Sequence, residues 1–376
     1  MKKLFIITGE YSGDIHAAHV VRELRKINPD IIIEGVGGIN LKNEGVKLFS
    51  TQEKMGAMGI SPSIIFNHIM LGKRLVDYIT KDFKPDAVLH IDYGAFNLNV
   101  SKFIKKAGIR TIYYIPPQVW ASRKWRINAI KKNIDEVLCI FPFEKSLYEN
   151  HGIKCHYCGH PLISQLPEPA DRHEFFKKYN LDKNKKLVSV FPGSRKFELL
   201  NLMNVFIKSA KELQKKHPDI QICISQAPNL SDEVFNKYLK DTDFKVIKGD
   251  NQALLSVSDA LILASGTVAL EAALYKIPMI IAYKGPFIFY LIYLLVRCIN
   301  MVSLPNIILG KIVVPEILEC DVKVCNIISK IESFLYDNKI RTDNINELAK
   351  VKEKLSDKVS SKEAAFEINK ILLNET

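Results

Sequence analysis

Short apolar runs alternate with longer amphipathic stretches along most of the chain. Runs such as residues 3–8 (KLFIIT) and 87–91 (AVLHI) are almost continuously apolar, as is typical of strands buried on both faces of a sheet. The stretches between them, such as residues 15–24, carry apolar residues at helical spacing. This βαβα alternation predicts an α/β fold built on a parallel, doubly wound sheet.

A second βα series begins after residues 163–169, a polar and proline-containing stretch that we interpret as a linker. The pattern after residue 344 is helical and contains no strand. We therefore predict a first domain over residues 1–163, a second over residues 164–343, and a helical segment over residues 344–376 that packs back on the first domain. Two such domains would face each other across a cleft.

Small and polar residues follow two predicted strands of the second domain, where an open α/β sheet binds its ligands. The first cluster is Gly193, Ser194 and Arg195, and the second is Ser265, Gly266 and Thr267 with Glu271 one turn later. Free amides at a helix start bind anions, and a guanidinium matches phosphate oxygens. Together the clusters predict a diphosphate site. Neither cluster is a Walker loop or a G-x-G-x-x-G motif, which disfavours ATPase and NAD functions.

Carboxylates follow two predicted strands of the first domain. Glu10 and Asp14 lie in the loop after the first strand, and Asp92 ends the apolar run at residues 87–91. Because two carboxylates repel phosphate, the loop favours sugar binding or acid/base chemistry. Asp92 as a helix N-cap is the structural alternative. His16 and Asn97 occupy similar positions, and we find no metal-ligand pattern.

The formal net charge of +12 over 376 residues suggests an anionic partner, although a lysine-rich solvated surface explains part of the excess. A membrane surface and a phosphorylated substrate both fit. No nucleic-acid-binding motif is present, so nucleic acid is disfavoured. Seven scattered cysteines favour a reducing cytoplasm over a disulfide framework.

Two apolar segments, residues 64–71 and 287–296, bear on membrane contact. Both are shorter than the roughly 20 residues that a membrane-spanning helix needs. Periodicity does not separate a buried apolar helix from an exposed one. If exposed, either segment would bind an anionic membrane face through a basic protein.

Many short motifs resemble, in order, those of the lipid-A-disaccharide synthases, which are glycosyltransferases with the two-domain GT-B fold. They include GEYSGD (9–14), MGAMGI (55–60), HIDYGAFN (90–97), PPQVWASRKWR (116–126), CGHPL (158–162), FPGSR (191–195), ASGTVALE (264–271) and VSLPNIILG (302–310). Any one of these motifs alone would be weak. Together they cover nearly the whole chain at the family's spacing.

The resemblance implies a reaction. UDP-2,3-diacylglucosamine would donate its sugar to the 6-hydroxyl of 2,3-diacylglucosamine 1-phosphate, giving a β-1,6-linked disaccharide phosphate and UDP. The anomeric centre would invert by direct displacement, with no cofactor and no metal. The enzyme would act in the cytoplasm, peripherally associated with the inner face of the inner membrane. Its oligomeric state stays open, a homodimer included.

The resemblance also implies residue roles. UDP would bind the second domain through both clusters named above, with Asn306 and Glu316 as further donor-site candidates. The acceptor would bind the first domain, with Asp92 as the base and Asp14 and Glu10 as further catalytic candidates. The acceptor-binding candidates are Ser12, Gly13, His16, Asn97, Arg123 and Arg126.

The chain departs from the family pattern at three positions. Ala95 stands where a second acidic residue is frequent, so Asp14, Glu10 or His16 would have to compensate. Ala17 stands where glycine is common, and Glu319 where glutamine is common. Three alternatives stay open: a UDP-sugar epimerase, a peptidoglycan glycosyltransferase, and a non-catalytic basic protein that binds lipid phosphates.

Overall fold

The computed structural model describes residues 1–51, 62–240, 242–285 and 298–374, with the backbone alone for residues 62–68. The predicted loop at residues 55–60 and the apolar segment at residues 287–296 lie outside the described residues. The chain forms two compact units. The first comprises Met1–Ser164 with Leu355–Thr376, and the second comprises Gln165–Lys354.

The described part of the first unit contains a seven-stranded parallel sheet in the order β3-β2-β1-β4-β5-β6-β7. The strands are β1 Lys3–Thr8, β2 Ile32–Gly37, β3 Lys47–Thr51, β4 Ala87–Ile91, β5 Arg110–Tyr114, β6 Glu136–Cys139 and β7 Lys154–Tyr157. The helices are α1 Tyr11–Ile27, α2 Ile39–Asn43, α3 Pro62–Asp77, α4 Gly94–Lys106, α5 Arg126–Asn133, α6 Pro142–Glu149 and α7 Leu162–Gln165. A π-helical turn, Tyr78–Phe83, continues α3.

The described part of the second unit contains a six-stranded parallel sheet in the order β10-β9-β8-β11-β12-β13. Its strands are β8 Lys186–Phe191, β9 Ile220–Gln226, β10 Lys245–Lys248, β11 Ala260–Ala264, β12 Met279–Tyr283 and β13 Glu316–Leu318. Its helices are α8 Arg172–Lys178, α9 Lys196–Lys216, α10 Asp232–Leu239, α11 Asn251–Val257, α12 Val268–Leu274, α13 Leu304–Leu309, α14 Val324–Tyr336 and α15 Asn338–Leu355.

Both sheets are Rossmann-like, and the strand order of each reverses direction at one place. In the first sheet the reversal lies between β1 and β4, and in the second between β8 and β11. The central strands are buried on both faces; Leu4, Phe5, Ile6 and Ile7 of β1, for example, have no exposed surface. This burial is why their sequences are continuous apolar runs. Ligands of such sheets bind beyond the carboxyl ends of the strands at the reversal.

A last helix, α16 Ser360–Leu373, packs on α1 of the first unit. Its buried face includes Ala364, Ile368 and Ile371. At its amino end, the buried hydroxyls of Tyr114 and Ser360 lie 2.7 Å apart and form a hydrogen bond. The first unit is therefore assembled from two separate parts of the chain.

Candidate functional site

A strained turn follows β4 and presents Asp92. Asp92 and Tyr93 both have left-handed backbone conformations, with φ angles of 49° and 50°. Such conformations cost about 1–3 kcal/mol each, so neighbouring groups must hold them. The carbonyl oxygen of Asp92 accepts hydrogen bonds from Asn97 Nδ2 at 2.8 Å and from the Tyr113 hydroxyl at 2.7 Å. These bonds fix the direction in which the Asp92 side chain leaves the backbone.

The Asp92 side chain lines a cavity of about 1200 Å³ in the first unit. Partial burial raises the pKa of its carboxyl above the ordinary value, and the negative charge of Glu10 raises it further. The backbone N–H of Tyr93 opposes both effects. A carboxylate with a raised pKa is a stronger proton acceptor than an exposed aspartate.

Asn97 is predicted to bind the acceptor, but the structure places it in the interior. Its side chain is fully buried, and its amide nitrogen donates to the carbonyl oxygens of Ile91 and Asp92. His90 Nδ1 lies 3.4 Å from Asn97 Oδ1, and burial lowers the pKa of His90 to about 4. Asn97 therefore supports the turn that carries Asp92. Tyr113 has the same role, and its position within an apolar strand hid it from sequence analysis.

The loop after β1 meets this turn through Gly9. A Cβ atom at Gly9 would lie 2.4 Å from the ring of Tyr93, so the close approach requires glycine. Glu10 is half-buried and lines the same cavity as Asp92. Ser12 is exposed at the start of α1, and Gly13 is buried against Thr8.

Asp14, a predicted catalytic residue, is fully buried and binds backbone amides. Its Oδ1 accepts from the N–H groups of Gly38 at 2.6 Å and Leu41 at 3.3 Å. Its Oδ2 accepts from Asn40 N and Nδ2, both at 2.9 Å. Both oxygens are thus committed to the start of α2. This carboxylate therefore joins the first turn of α1 to the start of α2, and its full burial does not support the predicted catalytic role.

We expect Asp14→Asn to lower the free energy of unfolding by about 2 kcal/mol, because an amide nitrogen replaces an oxygen that accepts two hydrogen bonds. Calorimetry would show a lower Tm, while the rate per folded molecule stays near wild type. Glu23→Gln, which alters a surface pair on the same helix, should change neither quantity measurably. If the Tm is unchanged but the rate is lost, Asp14 takes part in the reaction.

His16 is mostly buried, and burial, reinforced by nearby His19, lowers the pKa of its imidazole to about 4. Its Nδ1 has no hydrogen-bond partner among the described residues. His160 lies nearby, and burial lowers the pKa of its imidazole to about 3. Both imidazoles are therefore neutral at pH 7, and His16 supplies no positive charge for a phosphate.

Two arginines enter the cavity from the segment after β5. Arg123 is exposed and Arg126 is half-buried at the start of α5. Burial, followed by the charge of Arg123, lowers the pKa of Arg126 from its ordinary value. No described carboxylate forms an ion pair with either arginine. Both guanidinium groups therefore line the cavity without a close carboxylate partner among the described residues.

A buried carboxylate that the sequence did not single out anchors the same segment. Glu144 accepts hydrogen bonds from Trp120 Nε1 at 2.8 Å and from the N–H groups of Ile140 and Phe141. Burial raises the pKa of Glu144 to about 7, and these donors oppose the shift. The ring of Trp120 is thereby fixed three residues before Arg123.

Ala95 also lines the cavity and is exposed. It supplies no carboxylate at the position where the resemblance expects one. Of the three residues expected to compensate, Asp14 is committed to backbone amides and His16 is neutral and mostly buried. Glu10 is the one that lines the cavity and acts on the pKa of Asp92.

The described residues of the second unit contain a cavity of about 510 Å³ at the strand-order reversal. It brings together both clusters predicted for UDP, namely Gly193, Ser194, Arg195, Ser265, Gly266, Thr267 and Glu271. Partial burial raises the pKa of Glu271, opposed by a hydrogen bond from Gln252. The turn at residues 265–267 leads directly into α12, a helix of seven residues.

The Glu198 side chain binds backbone N–H groups of the first cluster that were expected to bind an anion. Its Oε2 accepts from the N–H groups of Ser194 at 2.9 Å and Arg195 at 3.1 Å. Gly193 has a φ of 102°, and a Cβ there would lie 2.2 Å from Glu198 Oε2. These two amides are therefore unavailable to an anion. The loop instead offers the guanidinium of Arg195, whose side chain is 73% exposed and lies 3.6 Å from Glu198.

Asn306 and Glu316, predicted at the donor site, bind each other and the surrounding backbone. Asn306 is fully buried; its Oδ1 accepts from Val313 N and Val314 N, and its Nδ2 donates to Glu316 Oε1 at 2.8 Å. Glu316 also accepts from the N–H groups of Val302 and Ser303. This network joins α13 to β13. The Asn306 side chain is thus occupied by internal partners, which does not support its predicted role in donor binding, and the Glu316 carboxylate has three internal donors.

Among the residues that the structure describes, no three histidine, cysteine, aspartate or glutamate side chains converge as metal ligands. None of the described helices combines the length and the apolar content needed to cross a membrane.

Comparisons with known proteins agree along the chain. The model of the family described as lipid-A-disaccharide synthetase matches residues 4–369. A lipid-A-disaccharide synthase 1 from Legionella pneumophila is 35% identical over 360 residues, covering 94% of this chain and 93% of that protein. The lipid-A-disaccharide synthase of a Coxiella burnetii strain is 33% identical over 356 residues, covering 94% of each.

Among solved structures, the UDP-GlcNAc 2-epimerase of Neisseria meningitidis bound to UDP-GlcNAc has a similar fold. Its TM-score is 0.67 at 17% identity, with both chains fully covered. At this identity the likeness describes the fold alone. It agrees with the two Rossmann-like, GT-B-type domains predicted from the sequence.

Proposed function

The chain belongs to the lipid-A-disaccharide synthase family and is a glycosyltransferase of lipid A disaccharide synthesis, and from this premise we propose its substrates and chemistry. The donor is UDP-2,3-diacylglucosamine, and the acceptor is 2,3-diacylglucosamine 1-phosphate. The acceptor 6-hydroxyl attacks the anomeric carbon, the bond to the diphosphate breaks, and the configuration inverts. The products are the β-1,6-linked disaccharide 1-phosphate and UDP.

Asp92 takes the proton from the acceptor 6-hydroxyl. The observation that carries this assignment is the half-buried carboxylate, held on a strained turn in the cavity that Arg123 and Arg126 also line. Its raised pKa suits a general base. Arg123 and Arg126 meet the acceptor phosphate, for which a guanidinium is a matched donor.

UDP binds the second unit. The cavity there joins the exposed guanidinium of Arg195 to the turn at residues 265–267. Arg195 stabilises the charge that develops on the leaving diphosphate. Glu271 accepts from the ribose hydroxyls, as a carboxylate does in other nucleotide sites.

We further propose that the enzyme works at the anionic, cytoplasmic face of the inner membrane. Several large apolar side chains of the first unit are exposed, including Ile69, Phe103 and Trp125 at 64%, 53% and 61%. The net charge of +12 adds electrostatic attraction to anionic lipids. Both substrates carry acyl chains, so they reach the enzyme from a membrane.

Glu10→Gln should move the acidic limb of the rate profile to lower pH. The base works when ionised, so the rate falls as the pH drops through the pKa of Asp92. Glu10 raises that pKa, and removing its charge lowers it. Measuring kcat/KM against pH tests this shift. Glu149→Gln, a surface change on α6, should leave the limb in place. If the acidic limb of the Glu10→Gln profile stays at the wild-type pH or moves to higher pH, Glu10 does not raise the pKa of Asp92.

The decisive experiment incubates the protein with both proposed substrates and detects UDP and the disaccharide together. An epimerase would convert the UDP-sugar to its epimer. It would form no disaccharide and release no equivalent amount of UDP. A non-catalytic lipid-phosphate binder would show no thermal stabilisation by UDP. Either outcome would overturn the proposed reaction.

A further inference from the structure

The cavity that contains Asp92 continues away from the turn as an apolar groove between α3 and α4. Its apolar lining residues are Ile69, Gly72, Val76, Phe96, Val100 and Phe103. The whole cavity, at about 1200 Å³, exceeds the roughly 300–1,000 Å³ of ordinary small-molecule sites. A phosphorylated sugar alone would leave the apolar part empty.

The lining of the cavity combines charged and apolar side chains. Arg123 and Arg126 lie on the segment that follows β5, while α3 and α4 contribute the apolar residues together with Lys73, Asp77 and Lys102. Ile69 and Phe103 line the groove while remaining 64% and 53% exposed. An amphiphile with an anionic head and a hydrocarbon chain complements this arrangement. A hydrophilic nucleotide sugar does not.

Gly72 opens the wall of the groove. Glycine within a helix costs about 1 kcal/mol relative to alanine, so its presence in α3 calls for a reason. A Cβ at Gly72 would lie 3.6 Å from Phe96 Cε2 and 3.8 Å from Val100 Cγ2, which is ordinary contact distance. Alanine therefore fits at this position. A longer side chain would project into the space between the two helices.

We propose that this groove holds an acyl chain of the acceptor and that Gly72 determines the chain length it accommodates. The inference rests on the proposed function, because it takes the acceptor to be a diacyl sugar phosphate. Each methylene buried in such a groove strengthens binding by about fourfold. A residue that closes the groove therefore penalises long chains and leaves short ones unaffected.

The test is a series of 2,3-diacylglucosamine 1-phosphates with chains of increasing length, at one detergent concentration. For Gly72→Phe we expect KM for the longest acceptor to rise at least tenfold, with KM for the shortest and kcat unchanged. Gly72→Ala should retain the wild-type profile. Arg74→Leu adds an apolar side chain to an exposed position of α3 outside the groove lining, and it should also leave the profile unchanged.

Direct binding of the same acceptors, measured without donor, separates this inference from the reaction. If the wild type makes disaccharide and Gly72→Phe keeps its chain-length profile in both assays, the groove assignment is wrong. If no disaccharide forms but binding depends on chain length and on Gly72, the groove assignment is supported and the proposed reaction is wrong. If Gly72→Phe instead changes only binding to phosphatidylglycerol vesicles, the groove contacts membrane lipid and the proposal is overturned.

Discussion

Asp92→Asn should reduce turnover about 10³-fold while leaving UDP affinity unchanged. The amide cannot accept the proton of the acceptor hydroxyl, and general bases contribute about 10²–10⁴-fold to rates. Such a loss corresponds to about 4 kcal/mol of activation free energy. The measurement is kcat at saturating concentrations of both substrates, with UDP binding determined in parallel.

Asp92→Asn removes the carboxylate and leaves the backbone conformation at this position unchanged. Asn tolerates the left-handed conformation as well as Asp does, whereas Ala does not. The bonds from Asn97 and Tyr113 reach the backbone carbonyl of residue 92, so they survive the change. Asp30→Asn, at an exposed site, serves as the matched control. Wild-type turnover by Asp92→Asn would remove this residue as the base.

Arg195→Ala should weaken UDP binding about 10- to 150-fold. Charge-assisted hydrogen bonds contribute about 1.5–3 kcal/mol, and the loop has no free amides at Ser194 or Arg195 to compensate. Titration calorimetry with UDP measures the effect directly. The same variant should lower kcat when the developing charge on the diphosphate is also stabilised by this guanidinium.

The neighbouring residue offers a matched control. Lys196 is an exposed cation one position along the chain, and it does not line the cavity. Lys196→Ala removes the same charge from the surface and should change UDP affinity by less than twofold. Equal losses of UDP affinity in the two variants would indicate that Arg195 acts through long-range electrostatics and makes no direct contact with UDP. No loss in Arg195→Ala would locate the diphosphate elsewhere.

The parallel sheets were predictable because double burial leaves a direct trace in the sequence. Strands such as Leu4–Ile7 and residues 260–264 are apolar throughout, as expected for strands buried on both faces of a parallel sheet. β13 is different: it has three residues and begins with Glu316, so no periodicity can mark it. The stretch from Pro62 to about Asp82 has a helical pattern, but the widening to a π-helical turn at Tyr78 leaves no such trace.

Polar residues at strand ends were predictable as a group but not individually. Asp14, Asn306 and Asp92 look alike in sequence, since each follows or precedes an apolar run. A carboxylate or amide that binds backbone amides has the same composition as one that faces a ligand. The difference lies in contacts with residues that are distant or unremarkable in sequence, such as Gly38 for Asp14. Tyr113 was missed for the same reason.

The position of α16 has a consequence for biosynthesis. The sheet of the first unit is complete once residue 157 has been made, but the helix that covers α1 begins at Ser360. About 200 residues separate them, which at about 5–20 residues per second takes roughly 10–40 s of translation. Throughout that interval an apolar face of α1 lies uncovered on the nascent chain. The continuous second unit can therefore finish folding before the first, and the emerging protein presents a surface that chaperones bind.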